Sequence, residues 1–142
     1  MLVRCLYASR AASPLAASTI EDILDKSRTK NPASGITGIL CYCGDIFTQV
    51  LEGGRDEVSE LYNAIARDPR HTNVRLLGFA EIGERKFCNW AMGNVDLSKI
   101  NTGVLLKYSE KPVLDPFNCS GHATMALLDE LVDSGAISCR VS

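Results

Sequence analysis

Gln49 lies in the apolar stretch Phe47-Thr48-Gln49-Val50-Leu51, where alternate residues of an extended chain share a face. Phe47, Gln49 and Leu51 then point one way, with Thr48 and Val50 opposite. If the Phe47 face packs under helices, an uncharged amide is buried and must find hydrogen-bond partners. Tyr7 poses the same problem, because it shares a side with Val3 and Cys5 and its hydroxyl needs a partner. Asn31, directly before Pro32, can aim a second amide across the same space. These three are compatible with satisfied polar groups in a core. They are also compatible with a site for a flat heterocycle whose edge alternates donors and acceptors. Spacing alone leaves both readings open.

The elements that must position these residues follow from periodicity. Residues 2–7 alternate as a strand, and a loop with Ser13-Pro14 follows. Ser18 and Glu21 form a capping-box pattern, and Ile20, Ile23, Leu24 and Ser27 then fall on one helical face. Asn31-Pro32 is expected to end that helix, since the residue before proline avoids helical torsions. Residues 36–43 and 46–51 are apolar runs joined by Gly44-Asp45, which suits a hairpin with a type II′ turn. After Gly53-Gly54, Asp56 and Glu57 open a second helix bearing Val58, Leu61, Tyr62 and Ile65, which Pro69 stops. Residues 74–82 and 90–95 read as a fourth and a fifth strand, so that Trp90 and Met92 share a strand face.

The order β-α-β-β-α-β-β predicts an α+β, ferredoxin-like layout with both helices on one face of the sheet. Residues 1–96 are read as the domain and 97–142 as a C-terminal helical extension. In the extension, residues 97–108 are partly helical and residues 116–132 form a longer helix.

The 142 residues suffice for one domain, and 46% hydrophobic with 23% charged residues is ordinary for a globular chain. A net charge of −2 argues against nucleic-acid binding. No apolar run approaches the roughly 18 residues of a membrane span, and the first residues lack a secretion-signal pattern. A cytoplasmic protein is expected. Cys5, Cys41, Cys43, Cys88, Cys119 and Cys139 are then reduced, and neither their spacing nor the two histidines supports a metal site.

Five fragments recur in a characteristic order: Leu2-Val3-Arg4-Cys5-Leu6-Tyr7-Ala8-Ser9, then Asn31-Pro32-Ala33-Ser34-Gly35-Ile36-Thr37-Gly38-Ile39-Leu40, Phe47-Thr48-Gln49-Val50-Leu51-Glu52-Gly53, Asp68-Pro69-Arg70-His71 and Phe87-Cys88-Asn89-Trp90-Ala91-Met92. With them the chain resembles the BLUF domains, blue-light sensors using FAD, over residues 2–95. The resemblance implies a flavin ring inserted between the two helices. It implies that Tyr7 is the electron and proton donor, Gln49 the switching amide and Asn31 a partner of the flavin carbonyl edge. Ser9, Trp90 and Met92 would form the surrounding shell that responds to light. Ile23, Ser27, Arg28, Lys30, Asp68, Arg70 and His71 would contact the ring or the ribityl-phosphate side.

Those residue types suit that chemistry. A phenol can lose an electron together with a proton, and an amide exchanges donor for acceptor when it turns over or tautomerises. The tail looks like that of short stand-alone members, which implies a homo-oligomer and light-dependent binding to a separate signalling protein rather than an enzyme. FAD is the expected cofactor, with FMN as an alternative. Competing readings are an acylphosphatase-type hydrolase, for which Arg10 lacks a Gly-rich cradle, a flavin reductase, and a cofactor-free oligomerisation domain.

Overall fold

The computed structural model describes residues 1–13 and 17–135. Alternation in the sequence becomes strand β1 (Leu2–Ala11), followed by helix α1 (Ala17–Ser34), strands β2 (Thr37–Cys43) and β3 (Ile46–Gly54) and helix α2 (Arg55–Arg67). Strands β4 (His71–Ile82) and β5 (Gly93–Asp96), a 3₁₀ turn (Leu97–Lys99) and helices α3 (Thr102–Tyr108) and α4 (Gly121–Asp133) complete the order. The strands make one five-stranded sheet ordered β4-β1-β3-β2-β5. β1 pairs antiparallel with β3 and β4, β2 antiparallel with β3, and β2 parallel with β5. This is the α+β arrangement expected, with the C-terminal helices added.

The two faces of the sheet carry separate cores. Val3, Cys5, Leu40, Phe47 and Leu51 pack against Ile20 and Leu24 of α1 and Val58 of α2. Leu6, Ile39, Cys41 and Val50 face the other way and meet Leu105 of α3 and Leu127, Leu128 and Leu131 of α4. Those three α4 leucines are at most 2% exposed, and each fully buried leucine contributes about 1.5–3 kcal/mol. The extension is therefore an integral layer of the fold. Glu130 fastens its two helices together, accepting from Lys107 Nζ at 2.6 Å and from the Tyr108 hydroxyl at 3.0 Å.

Local chemistry explains where elements begin and end. The hairpin turn at Gly44-Asp45 has a positive φ at Gly44 (59°) and not at Asp45, as the expected turn requires. Asp68 closes α2 in an extended conformation imposed by Pro69. α1, by contrast, runs through Pro32 to Ser34. It stops at Gly35, whose φ of 72° lets the Gly35 N–H reach Pro32 O (3.2 Å) and the Ile36 N–H reach Asn31 O (2.9 Å). Pro32 forgoes its N–H bond to the preceding turn without ending the helix, and glycine sets the boundary. α1 starts at Ala17, ahead of the expected Ser18 cap; the Ser18 side chain, Pro14 and Cys139 lie outside the described residues. α4 begins at Gly121 rather than near residue 116, because the Ser120 Oγ accepts the Ala123 N–H (3.0 Å) as its N-cap.

The fourth strand begins three residues earlier than expected, and the fifth is confined to Gly93–Asp96. Trp90 and Met92 precede β5 and do not share a face. Trp90 packs with the α4 layer, and Met92 packs with the α1–α2 layer. The Trp90 N–H bonds Phe87 O at 3.2 Å in a turn, so the two-residue period of an extended strand does not hold there.

Candidate functional site

Tyr7 of β1 and Gln49 of β3 stand directly opposite each other in the antiparallel ladder. Both are buried, at 1% and 4% exposure. The Tyr7 hydroxyl donates to Gln49 Oε1. The other end of the amide, Nε2, donates to Met92 Sδ at 3.2 Å, and a thioether is a weak acceptor. The amide is thus held firmly at its oxygen and loosely at its nitrogen. Burial pushes the Tyr7 phenol far above its ordinary range, with Cys5 and Tyr62 adding in the same direction. It stays protonated as a donor. The Tyr62 ring meets it edge-on, 5.7 Å between centroids.

Above these residues a cavity of about 430 Å³ opens between α1 and α2. Tyr7, Leu40, Phe47 and Gln49 contribute from the sheet, Ile23, Ser27, Lys30 and Asn31 from α1, and Leu61, Ala64 and Ile65 from α2. Asp68, Arg70 and His71 contribute from the start of β4 and the residues before it. Asn31 sits in the last turn of α1, only 4% exposed, with Nδ2 donating to Ala91 O at 3.3 Å.

The charged side has its own order. Arg70 grips Asp68 through Nε (3.0 Å) and Nη2 (2.6 Å) to Oδ2. Arg70's hydrogen bonds hold the Asp68 carboxyl at about 2. His71 Nδ1 lies 2.9 Å from Ser9 Oγ, and its ring is 5.3 Å from that of Phe47. Burial lowers its pKa, against the opposing pull of Asp68 and with the help of Arg70.

Of the residues singled out in the sequence, Tyr7, Ile23, Ser27, Lys30, Asn31, Gln49, Asp68, Arg70 and His71 line one cavity. Ser9 sits behind His71, Met92 behind Gln49, and Trp90 in the opposite layer. Arg28 is not part of the lining; its Nη1 is 3.9 Å from Asp25 Oδ1. Lys26, which was not assigned to the site, lines it. The helical period contains that signal: Ile23, Lys26, Ser27 and Lys30 fall at i, i+3, i+4 and i+7, and Arg28 falls off the stripe. Leu61, Ala64 and Ile65 of α2, and Phe47 and Leu40 of the sheet, also join the site without having been assigned to it. Their apolar character is that of any core residue.

The donor set fits a flavin. Ile23, Leu61 and Ile65 offer apolar walls to a flat ring, Gln49 and Asn31 offer amides to its polar edge, and Lys26, Lys30 and Arg70 offer cations to a phosphate. Among the described residues no group of side chains could hold a metal ion, and no helix is long and apolar enough to cross a membrane.

Comparison with known proteins also points to a flavin. Residues 2–93 match the family model BLUF, described as sensors of blue-light using FAD. The solved structure "BlsA photo-activated state" is 31% identical and superposes with a TM-score of 0.82, covering 93% of this chain and 95% of that one. The dark-state structure of BlrB, a BLUF protein, is 30% identical with a TM-score of 0.79, covering 94% and 96%. The photoactivated adenylate cyclase subunit beta of Euglena longa is 35% identical over 92 residues, 64% of this chain. This chain spans only about a tenth of that relative, 11% of its length. A match over most of the chain, and over nearly all of two solved structures, places this protein in the BLUF family of blue-light sensors that use FAD.

Proposed function

We propose that this chain is a light-driven switch in which Tyr7 and Gln49 form the moving part and residues 97–142 relay the change. The observation that carries the reading is the unequal grip on Gln49, with a phenol at Oε1 and only a thioether at Nε2. Bound between α1 and α2, the flavin would supply absorption of blue light and an oxidising excited state. Tyr7 would be the residue that lends one electron and its hydroxyl proton to that excited ring and takes both back, leaving no net redox change. While the phenol is changed, the bond to Oε1 loses its donor. Gln49 can then rotate or tautomerise so that a different end faces Tyr7 and the cavity. Its hold on Met92 changes in the same step, because Nε2 and Oε1 belong to one rigid amide.

Asn31 of α1 would hold the ring's polar edge and Ile23 and Ile65 would offer it apolar contact. Lys26, Lys30 and Arg70 would serve the phosphate side. FMN shares the ring and would satisfy the same Gln49 and Asn31 contacts, with FAD preferred as the family's cofactor. Residues 1–96 act as the sensory domain. The chain itself catalyses no reaction, and its output is light-dependent binding to a separate signalling protein in the cytoplasm, made by a homo-oligomer.

The test is the absorption spectrum of the purified protein in darkness and just after blue light. A flavin spectrum that shifts slightly to the red, recovers in darkness, and loses the shift in Gln49→Leu is the expected result. A flavin that merely bleaches would replace the switch with redox turnover.

A further inference from the structure

Glu52 is a carboxylate with 0% exposure that the Tyr7–Gln49 relay does not use. It leaves β3 three residues after Gln49 and so points to the opposite face. Its two oxygens take four donors. Oε1 accepts the Phe87 N–H at 2.7 Å, and Oε2 accepts the Lys86 N–H at 3.1 Å, Arg4 Nε at 2.8 Å and Arg4 Nη2 at 2.7 Å. Arg85 adds a second tie to the same strand, from Nη1 to Glu52 O at 3.4 Å and to Thr37 Oγ1 at 3.0 Å. A buried ion pair is a poor route to stability, since apolar residues of similar volume commonly do as well. What this one does that a leucine would not is hold two consecutive backbone amides in place.

Those amides begin the segment that ends at Met92. Within it, Trp90 O accepts the Gly38 N–H at 3.0 Å and Ala91 O accepts Asn31 Nδ2 at 3.3 Å. Met92 then meets Gln49, and Gly93 enters the ladder opposite Ile39. The segment starts in the α4 layer at Phe87 and Trp90 and reaches the cavity layer at Met92. Charge-assisted bonds fix its first end, the sheet fixes its second, and neutral contacts hold the middle.

We propose that Glu52 is a positioning residue for the Trp90–Met92 segment. By pinning Lys86 and Phe87 it confines any displacement of Met92 to residues 88–92, so that the displacement reaches Trp90 and the α4 layer instead of being lost in the β4–β5 loop. The proposal rests on the Tyr7–Gln49 switch. A tether anchored at both ends transmits motion, and one released at Phe87 absorbs it.

The experiment uses the full-length, FAD-loaded protein and its single tryptophan, Trp90. Two signals are recorded in darkness and after blue light: the flavin red shift, and the acrylamide quenching of Trp90 emission. In the wild type both should change. In Glu52→Gln the red shift should persist while the light–dark difference in Trp90 quenching collapses. Retention of the full Trp90 difference in Glu52→Gln would overturn the positioning role even if the variant melted earlier, because a purely structural carboxylate predicts that result. A wild type with the red shift but no Trp90 difference would also overturn it. A wild type without a reversible red shift would remove the switch itself. If Glu52→Gln does not fold, hydrogen exchange on the wild type decides. The Lys86 and Phe87 amides should stay protected in both states while those of residues 88–92 change, and light-induced loss of protection at Lys86 and Phe87 would reject the clamp.

Discussion

Gln49 and Val50 are neighbours in β3, yet they belong to different layers: Gln49 lies under the cavity, and Val50 packs in the core that holds α4. Leu6 and Tyr7 repeat the relationship in β1. At these positions one strand thickness separates the cavity from the C-terminal helices. A shift of either strand is felt on both faces, because close-packed cores deform little.

Gln49→Leu should abolish the reversible red shift and also cost stability. The Tyr7 hydroxyl would keep its burial and lose its acceptor, a penalty of about 1–3 kcal/mol. Tyr7→Phe should also remove the shift at a similar stability cost, because Gln49 Oε1 then stays buried without a donor and the Met92 thioether can only accept. Light-minus-dark spectra and urea unfolding of the two variants check this. Wild-type stability in either variant would contradict it.

Leu128→Ala should destabilise the whole fold by about 2–5 kcal/mol, the range for truncating a fully buried leucine. A single cooperative urea transition followed by flavin absorbance and by far-UV circular dichroism is the expected outcome. If α4 unfolded first and the flavin stayed bound, the extension would be an appendage and not a layer.

Acid should weaken the protein in two separate windows. His71 has a folded pKa below its unfolded 6.5, so its contribution is complete above that pH and falls as the pH drops towards the folded value. Asp68, held at about 2 against an ordinary 3.8, contributes fully above the higher value and loses that contribution as the pH falls through the lower. The Asp68–Arg70 pair is partly exposed, so Asp68→Asn should cost about 0–1 kcal/mol at neutral pH. Urea midpoints across pH should show the upper window vanish in His71→Gln and the lower one in Asp68→Asn. An unchanged profile in either variant refutes that assignment.

Thiol reactivity should divide the cysteines sharply. Burial pushes the Cys5 thiol up to about 12 and Cys41 in the same direction, whereas Cys88 is exposed. Alkylation of the native protein, followed by mass spectrometry, should modify Cys88 readily and leave Cys5 and Cys41 until the chain unfolds. Early labelling of Cys41 would mean that the sheet is open to solvent.

The floor of the site is legible in the sequence because a strand has a strict two-residue period. Tyr7, Phe47, Gln49 and Leu51 need only that rule. The same rule fails for Trp90 and Met92, since alternation does not carry through a turn that Phe87 O closes. At Pro32 the dipeptide rule is blind to the residues downstream, and the bonds of Gly35 and Ile36 to the last turn decide the helix end. Arg28 is nearer Lys30 in sequence than Lys26 is, but the helical stripe, not sequence proximity, selects which cation faces the cavity. Glu52 gives no sign of its role, since its partners Lys86 and Phe87 lie more than thirty residues away, as their separations of 34 and 35 show.

β5 has four residues and a single neighbour, β2, whereas β1 and β3 are each paired on both sides. Peeling β5 away breaks one short ladder and leaves β1, β3 and β2 joined beneath the cavity. Local opening is easiest where so few bonds must break. The floor of the chamber can therefore outlast the loss of one border of the sheet, and what goes with that border is the anchorage of Met92 beside Gln49.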